Sequence, residues 1–375
     1  MKVLISGGHL TPALALIDYA QTLPAKDEFV FVGRNFSQTE LKQQSQEKEE
    51  VSRRGVAFVE FGAGKVPSSF RPLLLVKQGI QFGSSLVRAR QILKQEQPDV
   101  FLSFGGYLAV PLAIAAFTLG IPIITHEQTR VAGVANQFIA RLAKKIAVSY
   151  PDSLTLFSQN KTILTGNPLR SKIIETRGKV PSWLKQSPTK PMLYITGGNQ
   201  GSQIINVMVA QVLSELTKDW FVIHQCGNPT VVMDYQKTLE RAHYQLSPEQ
   251  QKNYVVREWL TENELAWVYR KTSLVVSRAG ANTIQELMAL AKPAILIPLL
   301  HAPQDEQSKN AEVMASVGSA IILPQKDLTP QSLLASITRA KKKLGSLNLH
   351  AEVAQSTVKL DGDKELYNLV RLSVA

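Results

Sequence analysis

Short apolar runs alternate with longer stretches of helical period along most of this chain. It opens with the run KVLIS, followed by Gly7, Gly8 and His9. A stretch with apolar residues at Leu14, Leu16, Ile17 and Ala20 comes next. That order predicts strand, tight glycine turn, helix. Further strand-like runs are EFVFVG, VAFVEF, VFLSF, PIITH, KIAVS, MLYIT, FVIHQ, NYVVRE, SLVVS and PAILIPL. Strands that alternate with helices predict parallel α/β sheets.

Two internal echoes set the domain organisation. MKVLISGGHLTPALAL is matched by PMLYITGGNQGSQIINVMV (191–209). VFLSFGGYLAVPLAIAAFTLGIPIITHEQ (100–128) is matched by SLVVSRAGANTIQELMALAKPAILIPLLHAPQ (273–304). In the second pair a strand leads through a glycine turn into a helix, then to a Pro, another strand and a histidine. The fold class expected is therefore α/β, with two tandem Rossmann-like doubly wound domains and a cleft between them. They span 1–166 and 191–350. The Pro-rich segment 167–190 reads as the linker, and a helix in 351–375 as packing back on the first domain. Ligands in such folds bind outside the C-terminal strand ends, where glycine turns and helix N-termini gather.

The apolar stretch LAVPLAIAAFTLGIPIIT (108–125) has the length of a membrane span. Pro111, Gly120 and Pro122 divide it into a helix of about two turns and a strand, which fits a buried core better. No secretory h-region follows Lys2. The balance of 44% hydrophobic and 19% charged residues is that of a globular chain. A net charge of +12 calls for an anionic partner, and charge alone does not choose among nucleic acid, a phosphate-bearing substrate and a lipid surface. One cysteine, Cys226, excludes an internal disulfide framework and fits a reducing compartment. The histidines show no metal-ligand clustering. The one D-x-D stretch, Asp361 to Asp363, has no strand before it and reads as surface.

Eight stretches carry a resemblance: GGHLTPALAL, FGGYLAVPLAIAA, GIPIITHEQTRVAGVANQFIARLAKKIAVSYP, LTGNPLR, GGNQGS, VIHQCGN, RAGANTIQEL and PAILIPLLHAPQDEQSKNA. In order and spacing they resemble the MurG family of bacterial N-acetylglucosaminyltransferases, of glycosyltransferase family 28 and GT-B fold. The resemblance implies an inverting transferase that moves GlcNAc from UDP-GlcNAc to the muramyl 4-hydroxyl of lipid I, making lipid II for peptidoglycan. It implies no metal or other cofactor and no nucleic acid. Its acceptor is a lipid-linked muramyl-pentapeptide diphosphate, met at the cytoplasmic face of the cell membrane.

It also implies residue roles. GGNQGSQIIN offers amides at a helix start, and Gly197, Gly198 and Gly201 do not fit the dinucleotide pattern G-x-G-x-x-G. Gly198, Asn199, Gln200 and Gly201 are expected to bind the donor, Asn199 standing where the family usually has Ser. Arg278 supplies a permanent charge for phosphate. Ala281, Asn282, Thr283 and Ile284 open the next helix, and Glu286 corresponds to the residue that accepts from the ribose hydroxyls. Glu306 and Gln307 correspond to a glutamine pair that reads the sugar, with Glu306 in place of the first. Arg170 resembles the uracil-side arginine. Leu260 matches a position whose backbone reads the uracil edge, and a core leucine is an equal reading. Gly7, Gly8 and Thr129 are also placed with the donor, Thr129 replacing an Asn. Gly105, Gly106, Tyr107, His126 and Gln128 face the acceptor. His9 is the leading catalytic base, with Glu127 the alternative.

Membrane contact has a signal of its own. Residues 61–95 contain no acid and the bases Lys65, Arg71, Lys77, Arg88, Arg90 and Lys94, interleaved with Leu73, Leu74, Leu75, Val76, Ile80 and Phe82. Basic plus apolar suggests peripheral attachment to anionic lipid, and an ordinary amphipathic helix is the competing reading. The family writes its first turn as GGTGGH, and here it is the shorter SGGH. A related transferase with another lipid acceptor, a UDP-GlcNAc 2-epimerase-like isomerase and a non-catalytic nucleotide-sugar binder are the competing functions.

Overall fold

The computed structural model describes residues 1–38, 43–62, 72–175, 178–198, 201–228, 234–300 and 302–374. Asn199, Gln200, Lys65 and Arg71 lie outside the described residues, as do the side chains from 72 to 80. The chain divides into two compact units, Met1–Arg170 with Lys359–Ala375, and Ser171–Val358.

In the first unit the elements run β1 (Lys2–Ser6), α1 (Leu10–Gln21), β2 (Glu28–Gly33), β3 (Phe36–Gln38), β4 (Gln43–Gln44), α2 (Gln46–Arg53), β5 (Ala57–Glu60), α3 (Pro72–Glu96), β6 (Val100–Ser103), α4 (Ala109–Thr118), β7 (Ile123–Glu127), α5 (Val134–Leu142), β8 (Lys145–Val148) and β9 (Thr162–Leu164). Seven parallel strands form one sheet in the order β5-β2-β1-β6-β7-β8-β9. The chain winds outward from β1 through β2 and β5, then returns to the other side of β1 at β6. The switch point therefore lies between β1 and β6, where a doubly wound sheet offers a crevice at its C-terminal edge. The central strands are buried on both faces, as parallel strands under helices must be. Ile5, Leu16, Ile17 and Leu102 pack on one face, and Leu4, Phe101, Leu112 and Ile139 on the other.

The 108–125 stretch folds as a core helix, α4, and then the strand β7, broken at Gly120 with φ of 71°. No helix among the described residues is long and apolar enough to cross a membrane.

The second unit contains α6 (Ser171–Ile174), β10 (Met192–Thr196), α7 (Gln203–Asp219), β11 (Phe221–Gln225), α8 (Tyr235–Tyr244), α9 (Pro248–Gln251), β12 (Tyr254–Arg257), α10 (Glu262–Lys271), β13 (Thr272–Ser277), α11 (Ala281–Ala289), β14 (Ala294–Leu296), α12 (Glu306–Ser316), β15 (Ala320–Ile322), α13 (Pro330–Lys342) and α14 (Leu344–Gln355). Its six parallel strands run β12-β11-β10-β13-β14-β15. The winding repeats that of the first unit, with the switch point between β10 and β13. This shared wiring is the physical content of the internal echoes.

The last helix, α15 (Gly362–Val374), belongs to the first unit and packs on α1. Tyr367 donates its hydroxyl to Asp27, which also takes the Met1 ammonium at 2.9 Å. The returning chain crosses Thr165–Asn167 so closely that a Cβ on Gly362 would lie 2.5 Å from the Asn167 carbonyl. Asp361 is exposed as expected. Asp363 is half-buried in the first turn of α15, and burial raises its pKa, so only one acid of the D-x-D stretch is surface.

Candidate functional site

In the first unit the loops after β1, β6, β7 and β8 meet at the C-terminal edge of the sheet. Gly8 takes a φ of 126°, and Gly105 and Gly106 take 84° and 81°. These values favour glycine. The two turns flank the switch point and touch through backbone, a Cβ on Gly8 standing 3.3 Å from the Gly105 carbonyl. Tyr107 follows, and the Arg34 guanidinium lies 5.8 Å from its ring centre.

His9 is the N-cap residue of α1, half-buried and making no capping hydrogen bond with its side chain. Burial lowers its pKa, and the Glu127 carboxylate partly opposes that shift. The imidazole is thus held neutral at ordinary pH.

His126 is fully buried, and its ring lies edge-on to Phe104. Its Nε2 lies 3.0 Å from the Gly166 carbonyl. A carbonyl only accepts, so Nε2 carries the proton and Nδ1 presents a lone pair. That Nδ1 has no hydrogen-bond partner among the described residues, and neither does the buried Gln128 Oε1. Burial, opposed by the hydrogen bond to Gly166 and assisted by nearby His9, brings the His126 pKa down to about 4.

Glu127 is 4% exposed and accepts four hydrogen bonds. Oε1 takes the Thr129 amide at 3.1 Å and lies 2.8 Å from the Thr129 hydroxyl, which shares its one proton between Oε1 and the Val131 carbonyl. Oε2 takes the Gly133 amide at 2.9 Å and Asn136 Nδ2 at 2.9 Å. Four donors match the four lone-pair positions of a carboxylate. Glu127 thereby ties the 129–133 loop and α5 to the end of β7. Thr129 is engaged in that tie.

Asn136, on α5, joins this cluster although nothing in the sequence singles it out. Its Nδ2 also donates to the His126 carbonyl, its Oδ1 accepts from Thr125, and its side chain would meet a Cβ on Gly105 at 3.0 Å. It is one of several polar residues in the amphipathic pattern VANQFIARL, which does not mark it out.

In the second unit the β10 loop forms a compressed glycine turn. Gly198 donates to Thr196 Oγ1 at 3.0 Å, and Gly201 donates to the Gly198 carbonyl at 3.1 Å. A Cβ on Gly201, with φ of 73°, would sit 2.2 Å from the Cys226 carbonyl. Ser202 is the N-cap of α7 yet makes no side-chain cap. Its hydroxyl instead accepts from Arg278 at 2.9 Å. The first turn of α7 holds no acid, so its amide ends favour an anion.

Arg278 follows β13 and is held by the Ile297 and Pro298 carbonyls at 3.1 and 3.3 Å. Burial lowers its pKa, but a guanidinium stays charged in proteins. Gly280 caps α11, again with no side-chain cap. Ala281, Asn282 and Thr283 are half-buried at its start, while Ile284 and Glu286 are buried further along. Gln307 accepts from the Leu299 amide at 2.9 Å and lies beside Glu306 at the start of α12. Just before it, Gln304 and Asp305 both take left-handed φ values, 55° and 56°. Such values cost roughly 1–3 kcal/mol each in a non-glycine residue. Leu260 is buried, which puts its side chain in the core. Arg170 ends the first unit.

Models of the glycosyltransferase family 28 N-terminal and C-terminal domains match residues 6–148 and 192–366. A UDP-N-acetylglucosamine--N-acetylmuramyl-(pentapeptide) pyrophosphoryl-undecaprenol N-acetylglucosamine transferase from Bacillus cytotoxicus is 32% identical over 90% of this chain and 89% of its own length. Among solved structures, the Acinetobacter baumannii MurG crystal structure superposes with a TM-score of 0.69 at 23% identity, covering 99% of both chains. A Neisseria meningitidis UDP-GlcNAc 2-epimerase reaches 0.64 at 14% identity, covering 99% of this chain and 100% of its own. At those identities the structural likenesses establish the fold.

Proposed function

The chain belongs to glycosyltransferase family 28, and from that premise we propose that it moves GlcNAc from UDP-GlcNAc to the muramyl 4-hydroxyl of lipid I, forming lipid II, with His9 as the base. The single observation that carries the assignment of the base is the contrast between His9 and Glu127. The His9 imidazole is neutral and makes no cap at the switch point, whereas Glu127 is occupied by four donors. A base needs a lone pair to offer the proton it takes.

In the reaction His9 takes the proton of the 4-hydroxyl as that oxygen attacks the anomeric carbon. The new C–O bond forms as the bond to the UDP β-phosphate oxygen breaks. Attack from the opposite face turns the α-linkage of the donor into a β-linkage. Charge developing on the leaving diphosphate meets the amide ends of α7 and α11 and the Arg278 guanidinium, all fixed before reaction. Donor contacts are assigned to Gly198, Asn199, Gln200, Gly201, Arg278 and the 281–286 segment, with Glu306 and Gln307 at the sugar. Buried Nδ1 of His126 and Oε1 of Gln128 are acceptors suited to an acceptor-side hydroxyl or amide. In this reading the amides and Arg278 meet the phosphate charge without a metal, and turnover persists in chelator.

The enzyme works against the anionic inner face of the cell membrane. In support, the described part of α3 exposes Val87 at 61% beside the exposed bases Arg88, Arg90 and Lys94. Co-sedimentation with phosphatidylglycerol vesicles, weakened by salt, is the expected result. The activity test is a transfer assay with lipid I and UDP-GlcNAc, run beside His9→Ala. We expect UDP release and a disaccharide lipid, with kcat lowered about 10²–10⁴-fold in the variant. UDP and disaccharide formation at the wild-type rate by His9→Ala would rule His9 out as base.

A further inference from the structure

The first glycine turn is already occupied by a side chain of this protein. Glu47, in the first turn of α2, accepts the Gly8 amide on Oε1 at 3.1 Å and the Arg34 amide on Oε2 at 3.1 Å. The carboxylate is bedded against glycine. A Cβ on Gly33 would lie 2.7 Å from Oε2, and one on Gly7 would lie 3.1 Å from it. The helix that carries Glu47 is locked to the same loop. Ser45 caps α2 by accepting the Lys48 amide at 3.2 Å, and its hydroxyl donates to the Arg34 carbonyl. Across the turn, the Gly105 carbonyl faces Gly8. Gly8 therefore has a carboxylate on one side and a carbonyl oxygen on the other.

We propose that Glu47 is a specificity-determining residue, whose carboxylate fills the first glycine turn and keeps the phosphates of the acceptor away from Gly8. A phosphate and a carboxylate compete for the same amides, and two anions at contact distance repel. In this chain the turn is shaped by an internal anion, so the phosphate-bearing part of the acceptor binds elsewhere on the first unit. The inference rests on the acceptor side of the transferase reading, but its test needs no turnover.

Wild type, Glu47→Gln and Glu47→Ala are titrated with inorganic pyrophosphate under saturating UDP, while the amide NMR signal of Gly8 is followed. In the wild type that signal stays in place. In Glu47→Ala it moves, and pyrophosphate binds at least about tenfold tighter than to the wild type, the scale of a charge-assisted hydrogen bond. Glu47→Gln keeps the side-chain shape without the charge and shows a smaller gain. UDP affinity and Tm identify variants that have kept their fold, and should Glu47→Ala fail to fold, the comparison of Glu47→Gln with wild type decides. A Gly8 signal that moves in the wild type, or equal pyrophosphate affinity across the folded proteins, overturns the proposal. A wild type that fails to make lipid II but shows the expected Gly8 behaviour refutes the transferase reading and leaves this inference standing.

Discussion

Replacing Glu127 with Gln separates a scaffold from a base. The swap is nearly isosteric, but it turns one carboxylate oxygen into an NH₂ group. With the remaining oxygen kept on the Thr129 pair, that NH₂ faces the Gly133 amide and Asn136 Nδ2, which are both donors. Two charge-assisted hydrogen bonds are lost in a site that is 4% exposed. At about 1.5–3 kcal/mol each, the cost is at least roughly 3 kcal/mol. For a cooperative unit of this size that lowers Tm by roughly 6–12 °C. The same substitution removes the charge that raises the His9 pKa. A reaction that needs neutral His9 loses rate as pH falls through that pKa, which already lies below the ordinary 6.5. In the variant the acid limb of kcat/KM therefore survives and moves to lower pH. Differential scanning calorimetry and a pH–rate profile of the transfer reaction check both effects. If Tm stays at the wild-type value while kcat collapses and the acid limb vanishes, Glu127 is the base and the assignment to His9 is wrong.

Cys226 is fully buried, and burial, with Glu258 adding to it, pushes its pKa up to about 12. Iodoacetamide should leave it unmodified in the native protein and label it in denaturant, as mass spectrometry would show. Gly201→Ala should abolish UDP binding by calorimetry, because its new methyl overlaps the Cys226 carbonyl and its φ of 73° is left-handed. Tyr367→Phe removes a hydrogen bond to a carboxylate and should cost about 1.5–3 kcal/mol by urea unfolding at pH 7. Burial alone would raise the Asp27 pKa, but the Tyr367 hydroxyl and Met1 ammonium outweigh it and hold the pKa below 3.8. That contribution is complete above about pH 3.8 and lost as pH falls through the folded value, so the gap between variant and wild type should close in acid.

The eleven strand-like runs read from the sequence all carry strands; most are buried on both faces and so are written as unbroken apolar runs, while the edge strands β5 and β12 are only partly buried. Missed were β9 and β15, at the sheet edges, and the short β3–β4 pair. Each of these is two or three residues long, and none lies within a longer apolar run as the equally short β14 does in PAILIPL. Glycine turns were legible for the same local reason, since the strand, turn and helix are contiguous. Glu47 and Asn136 were not. Each acts on a turn far away in the chain, and nothing in QEKEEVSR marks one glutamate as the partner of Gly8. Glu127 shows the converse, because HEQ is conspicuous in sequence while its four donors appear only in three dimensions.

The return of α15 to the first unit bears on how the protein is made. The first unit lacks one of its helices until the ribosome has synthesised residues 171–358 of the second. At about 5–20 residues per second that interval is roughly 10–40 s. Throughout it, the face of α1 that α15 covers is exposed, and Asp27 lacks its Tyr367 partner. The second unit, continuous in sequence, has no such wait. The unit that carries His9 is thus the last to close, and a nascent chain arrested before residue 359 should bind UDP before it can support transfer.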